Sequence, residues 1–292
     1  MAIATSNLVH DNSTLANFQS WAQFIFNAFS VTAGWTQAAD TGQTAPSAAA
    51  SVGSFYFIFK MADALQATCP VFVKISYGTN GTTVQFAVQV GQGSNGSGTL
   101  TGAVSNNVGN SLTTNEGVST FPCYASGDSG SIRIFMWQSG SQNTGFLFGV
   151  ERSKNASGVN TAEYVTFLAA DANSNSGNFF WAWQHLLAGN VNPQPTLTGS
   201  GVAGWPIIAP PPGGTLNFNG TTAAIPFLPL PGKPGNPLLD WAGTAYGDVV
   251  EGQTNITVSI YGANHNYIST KQNLFSNLYN QGFKVALLMR YE

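Results

Sequence analysis

The chain has 292 residues, 43% hydrophobic and 12% aromatic, enough to bury one large core or two modest ones. Only 9 Lys and Arg and 12 Asp and Glu are present, 7% of the chain, where about a quarter is typical of soluble domains. The net charge of −3, without a basic cluster, argues against nucleic acid as a partner. A surface so poor in charge suits a protein that is packed in an assembly or exposed outside a cell.

The first residues, MAIATSNLVHDNSTL, contain neither the basic region nor the apolar region of a signal peptide. No apolar run of the chain has the length of a membrane-spanning helix. We therefore expect no export by the usual secretory route and no membrane partner.

An amphipathic helix is predicted within DNSTLANFQSWAQFIFNAFS, residues 11–30, because its apolar residues fall three or four apart. Residues 11–13 offer capping side chains, and Gly34 ends the helix. The apolar face either docks onto the sheet of its own domain or packs against a neighbouring subunit. We assign residues 1–35 to an assembly segment whose candidate contacts are Phe18, Trp21, Ile25 and Phe29.

From residue 51 the pattern changes to short strands separated by clusters of Gly, Asn and Ser. The predicted strands are SFYFIFK, PVFVKISYG, TTVQFAVQVG, SIRIFMWQSG, TGFLFGVERS and AEYVTFLAA. The short MADALQAT segment between the first two is predicted as a helical turn. Strands and turns without intervening helices indicate a mainly β domain over residues 51–185, an antiparallel sandwich or barrel.

The loop GQGSNG, residues 91–96, has the glycine spacing of a dinucleotide-binding loop. A working loop of that kind leads directly into a helix, whose N-terminus receives the pyrophosphate. Here SGTLTG follows, which is typical of a turn and a strand. The sequence therefore favours a connection between strands over a nucleotide site.

A second motif, GDSGS at residues 127–131, resembles the nucleophile loop of chymotrypsin-like serine proteases around Ser129. Such a site needs a His base held by an Asp, and the one upstream histidine, His10, lies in a polar stretch. Asp, Ser and Gly are also the expected residues of a tight turn. We predict a turn here and no catalytic residues, although carboxylates such as Asp128 and Glu151 keep a glycosidase as an alternative.

The chain has two cysteines, Cys69 and Cys123, and three scattered histidines. A disulfide is one possibility, but nothing in the sequence marks an oxidising compartment, so two buried thiols are favoured. The histidines lack the spacing of metal ligands. We expect no metal site and no cofactor.

Most prolines lie between residues 190 and 240, in NPQPTLTG, WPIIAPPPGG and IPFLPLPGKPGNP. Proline disfavours regular helix and central strands, so we predict an extended arm over residues 186–245. A ligand for a proline-binding domain is the alternative. The arm is too apolar for a solvated linker and must be covered by this subunit or a neighbour. Its candidate assembly contacts are Ile207, Ile208, Phe227, Leu228 and Leu230.

The last segment, residues 246–292, is predicted as a strand, a helix and a strand. NITVSIYG has the residues of a strand, and KVALLMRY is apolar enough to lie inside a sheet. Ser269 with Gln272 has the form of a capping box for a helix through TKQNLFSNLYNQ, ended by Gly282. The segment forms a separate lobe or continues the main domain.

Four blocks of the chain resemble structural proteins of tailed bacteriophages. They are GWTQAADTGQ (34–43), DALQATCPVFVKISYG (63–78), VQVGQGSNGSGTLTG (88–102) and FLFGVERSKNASG (146–158). The resemblance covers roughly the first 170 residues and brings no catalytic motif with it.

The resemblance implies a non-enzymatic building block of a virion, present in many copies and assembled in the host cytoplasm. Its partners would be other copies of itself and other virion proteins, and a homo-oligomer on a symmetry axis would multiply weak contacts. We expect a tail, baseplate or neck location. Capsid decoration, binding of a host-surface glycan or receptor, glycan cleavage by a depolymerase, and a host-cell adhesin are the alternatives.

Overall fold

A computed structural model of the chain describes residues 2–9, 14–79, 83–102, 104–105, 107–113, 120–138, 144–155, 157, 159–172, 179–187, 218–219, 222–227, 238–245, 256–260, 263–271 and 285–291. These residues form a mainly β protein with antiparallel sheets and one N-terminal helix, as the strand and turn pattern from residue 51 and the periodicity of residues 11–30 predict. Two compact units are present, one of Ile3–Arg152 and Ala162–Ser200, the other of Met1–Ala2, Ser153–Thr161 and Gly201–Glu292. We call them the larger and the smaller unit.

The predicted helix is present as α1, Leu15–Asn27, which continues as a π-helical turn over Ala28–Thr32. Its cap is Thr14, whose hydroxyl accepts a hydrogen bond from the Asn17 amide at 3.1 Å. The prediction of a cap at residues 11–13 is wrong because the extended residue that precedes the first turn is Thr14; residues 11–13 lie outside the described part. The chain leaves the helix through Gly34, whose φ of 68° is a left-handed conformation that glycine adopts without strain.

The strands of the described residues are numbered in chain order. They are β1 Ala2–Val9, β2 Thr36–Gln37, β3 Gly53–Lys60, β4 Phe72–Thr79, β5 Thr83–Gly91, β6 Gly93–Ser94, β7 Leu100–Thr101, β8 Val108–Thr113, β9 Thr120–Asp128, β10 Ser131–Gln138, β11 Thr144–Lys154, β12 Asn160–Ala172, β13 Phe179–Leu187, β14 Phe218–Asn219, β15 Thr222–Phe227, β16 Leu238–Ala245, β17 Ile256–Ile260, β18 Ala263–Lys271 and β19 Val285–Arg290. Two single 3-10 turns lie at Pro46–Ala48 and Ala64–Ala67.

The strands form three sheets and one small hairpin. Sheet 1 has the order β1-β9-β10-β11-β12-β13, and sheet 2 has the order β2-β3-β4-β5-β8. Sheet 3 has the order β14-β15-β16-β19-β18-β17, and β6 pairs with β7. Sheet 2 belongs to the larger unit, as does sheet 1 except for Ala2 of β1, residues 153–154 of β11 and residues 160–161 of β12, and sheet 3 belongs to the smaller unit.

The six strands predicted between residues 51 and 170 are confirmed, as is the helical turn at Ala64–Ala67. Their alternation explains why: in β4 the buried residues Val73, Ile75 and Tyr77 alternate with half-buried Lys74 and Ser76. The sequence missed β1, however, because AIATSNLV is too polar at its centre to resemble a core strand.

One hydrophobic core in the larger unit combines side chains of α1 and of both sheets. Aromatic rings from the helix and sheet 2 meet edge to face, as in Trp21 with Phe86 at 5.4 Å and Phe26 with Phe57 at 5.3 Å between ring centroids. Phe26 is partly buried at the margin of this core. Its buried members include Ile25, Phe29, Phe59, Val73, Ile75, Ile132, Ile134, Phe148 and Val150. Helix α1 is therefore part of this core, and the role of residues 1–35 as an assembly segment stays a prediction.

Sheet 3 begins inside the segment that the sequence assigns to an extended arm. Strands β15 and β16 pair from Ala223 opposite Ala245 to Phe227 opposite Leu238 and lie inside sheet 3. The prediction that residues 186–245 form an extended arm without a central strand is therefore wrong for these parts. Pro226 is accommodated because the two-residue β14 pairs only with residues 222 and 223, and because the register shifts between Pro226 and Phe227. Residues 186–187 lie in β13, and the remaining parts of the segment lie outside the described residues.

The end of the chain contains the two predicted strands, here β17 and β19, and β19 lies inside the sheet between β16 and β18 as expected. Ser269 is not a helix cap. It belongs to β18, where it stands opposite Leu288 and is fully buried. The capping-box interpretation is wrong because the backbone of Ser269 takes part in the ladder to β19; most of the predicted helix, from residue 272, falls outside the described part.

Candidate functional site

The glycine-rich loop GQGSNG is a β-hairpin. Its first glycine ends β5, its second begins β6, and the chain returns in β7 without entering a helix. Gly93 stands opposite Thr101 and Ser94 opposite Leu100. The prediction of a connection between strands is therefore confirmed, and the helix N-terminus that a dinucleotide phosphate needs is not at this place.

A single carboxylate fastens this hairpin to the loop that follows β2. Asp40 accepts hydrogen bonds through Oδ1 from the Gly98 amide at 2.9 Å and from the Ser94 hydroxyl. At the tip, Asn95 Oδ1 accepts from the amides of Ser97 at 2.9 Å and Thr99 at 3.1 Å. These bonds satisfy the turn internally, in the way that Asp and Asn side chains stabilise turns.

Lys74 closes the same structure from sheet 2. Its Nζ donates to the Gly98 carbonyl at 2.7 Å and lies 4.8 Å from the centroid of the Tyr56 ring. The Tyr56 hydroxyl donates in turn to the carbonyl of Thr41. Nearby, Ala38, Ile58 and Leu100 form a small apolar cluster. These contacts attach the hairpin firmly to sheet 2. The ammonium group of Lys74 is held by the Gly98 carbonyl and the Tyr56 ring.

The GDSGS motif forms the tight turn between β9 and β10, as predicted. Asp128 Oδ1 accepts from the Gly130 amide at 2.9 Å and from the Ser131 hydroxyl at 2.8 Å. Ser129 is exposed, and its carbonyl accepts a hydrogen bond from the Ala62 amide at 3.0 Å. The aspartate therefore stabilises the turn.

Buried and half-buried charged residues lie around this turn. We call Asp63, Asp128, Arg133, Glu151 and Arg152 the turn cluster. Arg152 donates from Nε and Nη2 to the two carboxylate oxygens of Asp63, at 2.5 and 2.9 Å. The Arg152 side chain has no exposed surface, and that of Asp63 is 9% exposed. In this bidentate ion pair the positive charge of Arg152 is balanced by the carboxylate of Asp63. The pair holds the chain segment after β3 against the end of β11.

Arg133 extends the turn cluster along β10. Its Nε donates to the Ser126 hydroxyl at 2.9 Å, and the Arg133 residue is 1% exposed. Glu151 stands opposite Ser131 in the β10–β11 ladder and is 6% exposed. A side chain near the end of the helical segment also holds the turn, because Trp35 Nε1 donates a hydrogen bond to the Asp128 carbonyl at 2.9 Å. Charges that a charge-poor chain could display on its surface are instead used inside it.

The four candidate contacts on α1 are not available to another subunit. Phe18, Trp21, Ile25 and Phe29 are each at most 1% exposed and belong to the core of the larger unit. Their assignment as assembly contacts is corrected accordingly: the alternative, in which the helix docks onto its own domain, is the arrangement found. The apolar face of α1 is covered by side chains of sheets 1 and 2. The sequence pattern shows that this face must be covered, but it does not show by what.

Of the candidate contacts in the proline-rich segment, Phe227 is described by the structure. Phe227 is the last residue of β15, opposite Leu238. Ile207, Ile208, Leu228 and Leu230 lie outside the part of the chain that the structure describes, so their role stays a prediction.

Both thiols are free and buried, which confirms the interpretation of Cys69 and Cys123 as buried thiols. Burial raises the pKa of the Cys123 thiol above its ordinary value, and burial likewise raises the pKa of the Tyr77 phenol. Both groups therefore stay protonated in the native core at neutral pH.

The described residues contain neither a metal-binding cluster nor a membrane-spanning helix. No three His, Cys, Asp or Glu side chains there gather closely enough to hold a metal ion. No helix among them combines the length and apolar character needed to cross a membrane.

The sequence identified the two loops but not their partners. Asp63 and Arg152 are 89 positions apart, and Asp40 is 58 positions from Gly98. No local pattern connects residues at such separations. Among known proteins, no family, no curated protein and no solved structure matches the chain.

Proposed function

We propose that the chain is a non-enzymatic structural component of a bacteriophage virion, located at the tail, baseplate or neck and acting through contacts among many copies. One observation carries the proposal: the chain has few charged residues, and several of the charged residues that the structure describes are buried. Arg133, Glu151 and Arg152 are buried, and Lys74 is engaged with Gly98 and Tyr56. A surface with so little charge repulsion favours close packing of copies.

The arrangement of the larger unit supports the same proposal. We propose that sheets 1 and 2 form a β-sandwich, because side chains of both sheets belong to one core. The polar fastenings at the hairpin and at the turn cluster hold loops to this body at several points. A rigid body of this kind keeps its surface in fixed geometry, as repeated subunit contacts require.

The resemblance of residues 34–43, 63–78, 88–102 and 146–158 to tailed-phage structural proteins gives the proposal its biological setting. These blocks include both the hairpin and the turn cluster's Asp63, Glu151 and Arg152. The hydrogen bonds and ion pair of these residues hold loops to the sheets, which supports a structural role.

Immunogold electron microscopy of purified virions, with an antibody against this chain, tests the proposal. Label at the tail, neck or baseplate is expected. Label spread over the head would replace the tail assignment with capsid decoration. Virions without label would refute the structural role, and binding or cleavage of host glycan would then be tested on the purified chain.

A further inference from the structure

The tip of the β6–β7 hairpin contains an Asn–Gly pair, Asn95 and Gly96. In such a pair the backbone nitrogen of the glycine can attack the side-chain carbonyl carbon of the asparagine, since the bond between them closes a succinimide ring within the chain. A Cβ at Gly96 would meet no atom of a non-adjacent residue within 4 Å. Asn95 and Gly96 are both exposed, so the pair is open to this attack and to water.

Three donors converge on Oδ1 of Asn95. They are the amides of Ser97 at 2.9 Å and Thr99 at 3.1 Å and the hydroxyl of Ser97 at 3.0 Å. Attack on Cγ moves negative charge onto this oxygen, and donors already in place at such distances stabilise that charge. Nδ2, the nitrogen that must leave, makes no hydrogen bond to the described residues. The contacts therefore polarise the carbonyl and leave the departing group free.

A proton path leads away from the attacking nitrogen. The Gly96 amide donates to the Ser94 hydroxyl at 3.3 Å, and that hydroxyl donates to Oδ1 of Asp40. A backbone amide must lose its proton in order to attack, and a carboxylate positioned through a hydroxyl acts as a general base. The Gly96 carbonyl accepts from the Thr41 amide at 2.9 Å, which fixes the peptide group beside the pair.

We propose that Asn95 is a site of deamidation that the native fold itself accelerates. The Gly96 nitrogen is the nucleophile, Ser94 and Asp40 position and receive the proton, and water is the co-reactant. The inference goes beyond the proposed function and does not depend on it, because the hairpin has the same geometry whether or not the chain belongs to a virion.

The reaction balances without any other reagent. The Gly96 nitrogen forms a bond to Cγ of Asn95, its proton passes to the Ser94 oxygen, and the Ser94 proton passes to Asp40. The bond between Cγ and Nδ2 then breaks, and the nitrogen takes up a proton from solvent and leaves as ammonia. Asp40 returns its proton to solvent. Water finally opens the succinimide at either carbonyl, which yields an aspartyl or an isoaspartyl residue at position 95.

The product differs from the starting chain in charge and in backbone. One added carboxylate changes the formal net charge from −3 to −4 and lies at an exposed tip. In a chain with so few charges, this alters the surface field more than it would in an ordinary domain. The isoaspartyl product also lengthens the main chain at the tip by a methylene group.

Protection of Asn95 is the competing outcome, since the hydrogen bonds to Oδ1 also restrain its side chain. The position of these bonds favours reaction. All three go to the oxygen that gains charge, and the amide that must be deprotonated donates toward a carboxylate. The two outcomes differ in whether folding raises or lowers the rate.

Peptide mapping of the full chain measures that rate. The protein is incubated at neutral pH in native buffer and in urea, and aspartyl and isoaspartyl forms at position 95 are quantified by mass spectrometry of chymotryptic peptides. The native rate constant should exceed the rate constant in urea by about 100-fold, the lower end of what a positioned general base contributes. A native rate equal to or below the rate in urea overturns the proposal and shows that the fold protects Asn95.

Two variants test the proton path. Ser94→Ala removes the connecting hydroxyl, and Asp40→Asn removes the carboxylate with little change of shape. Each should lower the native rate by about the same factor and leave the rate in urea unchanged. Thr101→Ala is the matched control, because it removes a hydroxyl from β7 of the same hairpin outside the path, and its native rate should equal that of the wild type. An unchanged native rate in Asp40→Asn overturns the proposal.

The pH profile separates a proton path from simple loosening of the hairpin. In urea the rate should rise about tenfold per pH unit between about pH 6 and 8, because hydroxide removes the amide proton. The native wild type should rise far less, because the Asp40 carboxylate takes the place of hydroxide, and native Asp40→Asn should regain the steep profile. Two further titratable groups lie at the hairpin: Lys74 donates to the Gly98 carbonyl and Tyr56 to the Thr41 carbonyl. A native profile as steep as that in urea overturns the proposal.

Discussion

Replacing Asp63 with alanine should destabilise the larger unit strongly, because it removes the carboxylate that pairs with a fully buried guanidinium. Arg152 donates to both oxygens of Asp63, and its side chain has no exposed surface. After the substitution the charge of Arg152 would remain buried without compensation.

The magnitude follows from burial. Breaking a buried pair by removing one partner costs about 3–5 kcal/mol, whereas exposed pairs contribute about 0–1 kcal/mol. With Arg152 at 0% and Asp63 at 9% side-chain exposure, the buried case applies. Substituting both residues, as Asp63→Ala with Arg152→Met, removes the stranded charge. The double variant should therefore be more stable than Asp63→Ala alone.

Urea unfolding of the full chain measures the effect. The chain divides into two compact units, so a fluorescence change alone does not show which unit unfolds. Hydrogen exchange of peptides from residues 121–136 is therefore measured as well, because these residues belong to the larger unit. A lower midpoint with an unchanged slope indicates a loss of stability without a change of compactness. A loss below about 1 kcal/mol for Asp63→Ala would show that the pair is effectively solvated. A double variant less stable than the single one would refute the reasoning as well.

Three further predictions concern the core, the hairpin and pH. Phe29→Ala should lower the free energy of unfolding by about 3–5 kcal/mol in urea titrations, because this fully buried ring stacks on Phe59 at 5.3 Å and leaves a cavity. Gly98→Ala should lower the melting temperature measured by circular dichroism, because φ is +90° and the added Cβ would lie 2.5 Å from the Tyr56 ring. Burial raises the pKa of Cys123, so its neutral form stabilises the native state below the unfolded-state pKa, and stability should fall as pH rises beyond it. The slope due to Cys123 approaches about 1.4 kcal/mol per pH unit and should be absent in Cys123→Ala, as urea midpoints between pH 7.5 and 10 would show.

Each of these has a clear contrary result. Phe29→Leu is the matched control for volume and should cost less than Phe29→Ala; equal losses would mean that the core does not pack tightly around the ring. Gly96→Ala is the control for the hairpin, because its φ is also positive but its Cβ position is open. Equal melting temperatures for the two glycine variants would remove the steric argument. Parallel pH profiles for wild type and Cys123→Ala would show that the thiol titrates normally.

The sequence determined the features that depend on local periodicity. Alternation of apolar residues gave the strands of residues 51–170, and the three-or-four spacing gave α1, because side-chain direction repeats with a period of about 2 in a strand and about 3.6 in a helix. Turn chemistry was equally local. Asp128 and Gly130 close a turn by themselves, so the protease-like motif was recognised as a connection between strands.

Only the tertiary structure decided what covers each face and which charges meet. The stripe of α1 has the same pattern whether it faces its own sheets or another subunit, and the core assigned it to the former. Ser269 has good capping chemistry, yet β18 continues through it because β19 offers a ladder partner. Asp63 and Arg152 are 89 residues apart, and β1 became an edge strand through pairing with β9. Such choices depend on contacts between distant segments, for which a local pattern carries no signal.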